Sequence, residues 1–170
     1  MIVRVSDIPE DGLYIDSPEP LAGAFPEASW SLREVALHVQ KEGEDVVVEG
    51  SLTASVPQVC GRCLESFDLV VTPQVTTRFV PAQAAGSGEH ELGADDLETD
   101  TYDHGQLDLA RLVEAETILA LPMKPLCREN CLGLCSVCGA NRNVTPCACE
   151  ATASDPRWAS LQKLAERLSR

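Results

Sequence analysis

From Arg33 onward the chain takes on a period of two: Val35, Leu37 and Val39 alternate with Glu34, Ala36 and His38. A half-buried strand has this pattern because successive side chains point to opposite faces. "KEGED" supplies a turn, and "VVVEGSLTASV" returns with Val48, Leu52 and Val56 on one face, so the pair predicts an antiparallel hairpin. "PQVCGRCLESF" interrupts with a tight cysteine turn, and "FDLVVTPQVTTRFV" resumes as a β-rich run broken near Pro73. At the N-terminus "MIVRV" alternates well enough for a strand. The following "DIPEDGLYIDSPEPLAGAFPEAS" contains four prolines and reads as irregular.

Two later segments have helical spacing. In "GQLDLARLVEAETILALP" Asp108 is a good N-cap. Leu109, Leu112, Val113, Glu116 and Leu119 trace a largely apolar face, and Pro122 marks the end, giving a helix near 108–121 that packs on the sheet. "SDPRWASLQKLAERLSR" offers Asp155 as N-cap and Pro156 at the first helical position. Its stripe of Trp158, Leu161, Leu164, Ala165 and Leu168 suits a core or a partner's groove. Between sheet and first helix, residues 81–104 hold seven acidic side chains and no Lys or Arg, which reads as a mobile acidic insertion with at most a short strand.

Charge refines this layout. The net charge is −14, yet residues 1–123 carry 6 basic and 23 acidic side chains (−17), whereas 124–170 carry 7 and 4 (+3). The cysteine-rich end is the only basic part, and Lys124, Arg128, Arg142 and Arg157 are its candidate contacts for RNA or another partner. The alternative is ordinary scatter of charge on a solvated surface, since RNA-binding faces usually carry more. Aromatic stacking residues are scarce: of seven in the chain, only Trp158 lies beyond residue 124.

The N-terminus lacks a basic start followed by an apolar run, and no stretch is long and apolar enough to span a bilayer, so a cytoplasmic protein is expected. In that reducing compartment paired cysteines point to metal or redox chemistry rather than structural disulfides. Eight cysteines fall into four pairs: Cys60/Cys63, Cys127/Cys131, Cys135/Cys138 and Cys147/Cys149. "CSVCGANRNVTPCAC" looks self-contained, so Cys135, Cys138, Cys147 and Cys149 are assigned to one zinc. Cys60, Cys63, Cys127 and Cys131 are assigned to a second, which closes a long loop. All-cysteine sites are usually structural, because catalytic zinc keeps a position open for water. Four-cysteine iron–sulfur ligation is the chemical rival. A thioredoxin-like role is disfavoured because neither C-x-x-C opens a helix after a parallel strand. His90 and His104 lack a ligand at a regular short spacing, and His38 sits within a strand pattern. Phosphate-cradling and nucleophile-elbow motifs are absent.

The prediction is therefore an α+β fold: an antiparallel β-sheet with one packed helix, a Cys-rich zinc module and a C-terminal amphipathic helix. By residues this is an acidic β-rich body over 1–123, the zinc module over 124–150 and the helix over 151–170, forming one compact unit.

"VCGRCLESF", "GQLDLARLVEAETILALPMKPLC", "CLGLCSVCGANRN" with "CAC", and the closing "DPRWASLQKL" together resemble the YceD family of large ribosomal RNA subunit accumulation proteins. The resemblance covers most of the chain in the right order, apart from the first thirty residues and the acidic insertion. It implies a bacterial or plastid protein needed for normal accumulation of 23S ribosomal RNA, with a gene-neighbourhood link to a zinc-ribbon protein of the large subunit. It places the family's cysteine pattern on the eight positions above, framed by Gly133, Leu134, Gly139 and Asn141, and supplies no catalytic mechanism. The expected function is a non-enzymatic ribosome biogenesis factor with two structural Zn2+. Its partner would be large-subunit rRNA or a basic large-subunit ribosomal protein, with no membrane and no small-molecule substrate. The alternative is an acidic binding module, or chaperone, for such a basic protein.

Overall fold

The computed structural model describes residues 1–82, 93, 99–149, 157 and 161. The chain divides into two compact units, Met1–Gln58 with Ser66–Pro125 and Val59–Glu65 with Leu126–Arg170.

In the first unit the expected hairpin forms from β3 (Ser31–Glu42) and β4 (Asp45–Val59). Their register runs from Glu42↔Asp45 to Ser31↔Ser55, with an irregularity between Leu32 and Glu34. Gly43 opens the two-residue loop with φ +72°, the sign that suits the right-handed twist of the flanking strands. Val35, Leu37 and Val39 of β3 and Val46, Val48, Leu52, Ala54 and Val56 of β4 are buried, so the period-two pattern marks the core face. At Gly50 the strands approach so closely that a Cβ would lie 2.0 Å from the Ala36 carbonyl oxygen, which is why no side chain is tolerated there.

Additional strands extend this pair. In chain order they are β1 (Ile2–Arg4), β2 (Leu13–Ile15), β5 (Ser66–Val71), β6 (Gln74–Pro81), β7 (Thr99–Tyr102) and β8 (Gln106–Asp108). The main sheet has the order β2-β3-β4-β6-β7, with β5 also paired to β4, while β1 and β8 form a separate two-stranded sheet. The proline-rich segment expected to be irregular thus contributes β2, whose three residues pair antiparallel with Leu37–Val39. The pairs β2–β3, β3–β4 and β4–β6 are antiparallel, whereas β7 runs parallel to β6. A parallel return needs a crossover of a dozen or more residues, and the 17 residues 82–98 between those strands supply it. Most of the expected acidic insertion, 83–92 and 94–98, lies outside the described residues. His104 and Gly105, both at positive φ, make the two-residue turn from β7 to β8.

The helix α1 spans Leu109–Leu119. Asp108 caps it, its carboxylate accepting from the backbone N–H of Ala110 (3.1 Å) and Arg111 (3.4 Å). Leu109, Leu112 and Val113 join the same core as Val3, Val5 and Leu107. The buried face differs from the expected one at its end: Thr117 is fully buried and Leu119 is 77% exposed. Thr117 can occupy the apolar face because its hydroxyl donates to the Val113 carbonyl at 2.7 Å. Glu116 is half-buried, and desolvation pushes its carboxyl above the usual range. The C-terminal helix expected over 151–170 lies outside the described residues, apart from Arg157 and Leu161. Among the described residues no helix is long and apolar enough to cross a membrane.

Candidate metal centres

The second unit contains all eight cysteines, and they are free thiols. Two turns of the same construction present the C-x-x-C pairs. In one, the Cys60 N–H donates to the Glu65 carbonyl (2.9 Å) and the Leu64 N–H to the Cys60 carbonyl (3.0 Å). In the other, the Cys135 N–H donates to the Ala140 carbonyl (2.8 Å) and the Gly139 N–H to the Cys135 carbonyl (2.9 Å). The fifth residue of each turn is left-handed: φ is +61° at Leu64 and +71° at Gly139. Such a turn aims two sulfurs to one side and leaves backbone N–H groups facing them, as with Val137, whose N–H lies 3.4 Å from Cys135 Sγ.

The structure gathers the sulfurs into two quartets, Cys60/Cys63/Cys127/Cys131 and Cys135/Cys138/Cys147/Cys149, with the ligand atoms of each within 4.8 Å of one another. Within the first quartet Cys60 and Cys131 sulfurs are 3.8 Å apart, and Cys63 and Cys127 sulfurs 3.7 Å. A tetrahedral zinc with Zn–S bonds of about 2.3 Å has edges of about 3.8 Å, so this spacing fits the metal, whereas a disulfide requires about 2.05 Å. Each quartet could therefore hold a metal ion. Cys60, Cys63 and Cys131 are buried and Cys127 is half-buried; in the other quartet Cys138 and Cys149 are exposed.

Thiol chemistry within each quartet is polarised. The backbone N–H groups of Cys127 and Cys63 draw Cys60 down to about 6, whereas burial and the neighbouring sulfurs push Cys127 up to about 12. Likewise the N–H groups of Cys138 and Val137 lower Cys135 to about 6, and the Cys138 sulfur and burial raise Cys149 to about 12. Close sulfurs cannot all ionise on their own account, since each thiolate raises the others. A divalent cation removes that conflict and deprotonates all four.

The residues that frame the quartets have definite tasks. Gly133, at φ +70°, brings the chain so close to Arg62 that a Cβ would meet its carbonyl oxygen at 3.0 Å. That carbonyl accepts from the Leu134 N–H at 3.0 Å. Leu134 bridges to Asn141, whose side-chain amide donates to Glu65 (3.3 Å). Two contributors escaped the sequence reading. Arg62 donates to the Glu129 and Cys131 carbonyls (3.3 and 3.0 Å), and Asn143 donates to Cys131 Sγ (3.2 Å). The only signal for Asn143 was its place two residues after Asn141, between the cysteine pairs.

Of the four candidate contact cations, Lys124 falls in the first unit and Arg128, Arg142 and Arg157 in the second. All four are exposed, and Arg128 is tied by one nitrogen to the Asn143 carboxamide oxygen at 2.8 Å. His38 stacks on Tyr14 within the main sheet, and His104 sits in the β7–β8 turn beside the Asp103 carboxylate.

Comparison with known proteins bears on this arrangement. A family model described as "Large ribosomal RNA subunit accumulation protein YceD" matches residues 48–165, a span containing all eight cysteines and α1. The chain belongs to the YceD family. Among its relatives, an uncharacterized protein of Mycobacterium leprae is 32% identical over 125 residues, covering 74% of this chain and 55% of that protein. Uncharacterized proteins of Mycobacterium bovis and Mycobacterium tuberculosis are each 31% identical over 141 residues, covering 79% of this chain and 62% of theirs. This YceD-family chain thus spans little more than half the length of these mycobacterial relatives. No solved structure matches it.

Proposed function

We propose that the chain is a non-enzymatic ribosome biogenesis factor supporting accumulation of 23S ribosomal RNA and assembly of the large subunit, with two structural Zn2+. The observation that carries the role is family membership over residues 48–165. The observation that carries the metal is two quartets of sulfur, one with spacings of 3.7 and 3.8 Å. With four thiolates each, neither zinc retains a position for water, so the ions hold the second unit together instead of reacting. Lys124, Arg128, Arg142 and Arg157 are the proposed contacts with rRNA, acting on phosphates as individual cations. The test is to delete the gene and measure the ratio of 23S to 16S rRNA. The ratio falls, and is restored by the wild-type gene but not by one carrying Cys60→Ser and Cys135→Ser. An unchanged ratio in the deletion strain overturns the reading.

A second reading, a binding module for a basic protein, is favoured by the charge of the separate units. The second unit has 7 basic and 5 acidic residues, formally +2, which two four-thiolate zinc centres at −2 each take to −2. The first unit has 6 basic and 22 acidic residues, formally −16, and contains a cleft of about 820 Å³ between the sheet edge and α1. Asp100, Asp103, Asp108 and Glu116 line it against one cation, Arg111, with Leu112 on its apolar side. Electrostatic complementarity would steer a Lys- and Arg-rich segment there. Asp100→Asn with Glu116→Gln should weaken a basic-protein complex and spare RNA binding, and Arg128→Glu with Arg142→Glu should do the reverse.

A further inference from the structure

Asn143 lies in the loop between Cys138 and Cys147, the two halves of one quartet, yet its side chain bonds a sulfur of the other. Its carboxamide is fully used. The oxygen accepts from the Leu132 N–H (2.8 Å) and the Arg128 guanidinium (2.8 Å). The nitrogen donates to Asn141 Oδ1 (2.9 Å) and Cys131 Sγ (3.2 Å). Because Leu132 N–H and Arg128 offer only donors, the oxygen must face them, and the nitrogen is thereby aimed at the sulfur. Asn141 Oδ1 also accepts from the Asn143 N–H at 3.0 Å, and the Arg142 N–H donates to the Gly133 carbonyl at 2.9 Å, so the loop lies against the segment that carries Cys131.

We propose that Asn143 is a positioning residue that couples the two metal centres: closing Cys135/Cys138/Cys147/Cys149 around a metal orders the loop that carries Asn143, and so strengthens metal binding at Cys60/Cys63/Cys127/Cys131. The Asn143 amide donates to Cys131 Sγ at 3.2 Å, and a hydrogen bond from outside the ligand set orients the sulfur it reaches toward the rest of its quartet. The loop is pinned at both ends by cysteines of the second centre, so without metal there it must be ordered at the expense of first-centre binding. Linkage makes the effect reciprocal.

This inference rests on the reading that both quartets bind zinc, and the experiment separates the two. Stepwise affinities for Co2+, followed by the sulfur-to-cobalt charge-transfer band, and for Zn2+ by competition, are measured on the full chain. The proteins compared are wild type, Cys60→Ser/Cys63→Ser, Cys147→Ser/Cys149→Ser, and Asn143→Asp. The overall two-metal constant of the wild type should exceed the product of the two single-centre constants by about tenfold or more. Asn143→Asp retains the acceptor for Leu132 and Arg128 and all eight sulfurs but removes the donor. It should lower first-centre affinity by about 10- to 100-fold, abolish the excess and shift the first-centre charge-transfer band. A product that matches the wild-type constant within twofold, or an Asn143→Asp protein with unaltered affinities and spectrum, overturns the coupling alone. A wild-type chain that binds neither metal overturns the zinc reading and the coupling with it.

Discussion

Leu64 and Gly139 occupy the same place in two copies of one turn: each donates its N–H to the carbonyl of the cysteine four residues earlier, and each is left-handed, at φ +61° and +71°. Glycine adopts that conformation freely, whereas a leucine brings its Cβ against the following carbonyl at about 1–2 kcal/mol.

Replacing Leu64 by glycine should therefore stabilise the first turn. The leucine side chain is 64% exposed, so little packing is lost, and the strain removed exceeds the added chain entropy by up to about 1 kcal/mol. Gly139→Ala should do the opposite, costing about 1–2 kcal/mol. Chelator-induced unfolding of the two variants, compared at equal protein and chelator concentration, reads both signs. A Leu64→Gly protein that loses metal faster than the wild type contradicts the account.

Asp108 is the second local device whose removal has a definite cost. Asp108→Ala deletes the acceptor for the Ala110 and Arg111 N–H groups and should lower stability by about 1 kcal/mol, with the urea m-value unchanged. Asp108→Asn keeps an acceptor oxygen and should lose only a few tenths of that. A midpoint for Asp108→Asn as low as that for Asp108→Ala would show that the carboxylate's charge, 3.9 Å from the N-terminal ammonium, matters more than the cap.

Glu116 predicts a pH dependence. Desolvation holds its folded pKa above the ordinary value of 4.5, so the folded state binds the proton more tightly than the unfolded chain. The sign follows: its favourable contribution is fully present below about pH 4.5 and is lost as pH rises through the folded value. Glu116→Gln should abolish that contribution and be more stable than wild type at neutral pH. The difference between the two unfolding curves, measured from pH 4 to pH 8, should widen with pH; a constant difference contradicts the desolvation argument.

The parts of the fold legible in the sequence are those governed by short-range periodicity. Val35, Leu37 and Val39 alternate because β3 has one buried face, and Asp108 reads as a cap because its carboxylate meets N–H groups two and three residues away. The cysteine quartets were legible through pair spacing. What was hidden depends on partners distant in sequence. Leu13–Ile15 is too short to show a period and is a strand only because Leu37–Val39 offers an edge. The parallel pairing of β6 with β7 follows from a chain return across residues 82–98. Thr117 looks polar until its hydroxyl is satisfied by Val113, and Asn143 looks like any loop residue until its amide reaches Cys131, 12 residues away.

The difference in exposure between the quartets predicts an order of chemical attack. Cys138 and Cys149 are exposed, whereas Cys60, Cys63 and Cys131 are buried, with Cys60 at 0%. Alkylation requires both a thiolate and a path for the reagent, and the buried sulfurs lack the second. In zinc-loaded protein all eight cysteines should resist iodoacetamide. On addition of a mild chelator, mass spectrometry should find Cys138 and Cys149 modified first and Cys60 last. Loss of the exposed centre should then hasten loss of the buried one, because the loop between Cys138 and Cys147 carries the amide that holds Cys131. Modification of Cys60 ahead of Cys149 would show that thiolate character outweighs access in this module.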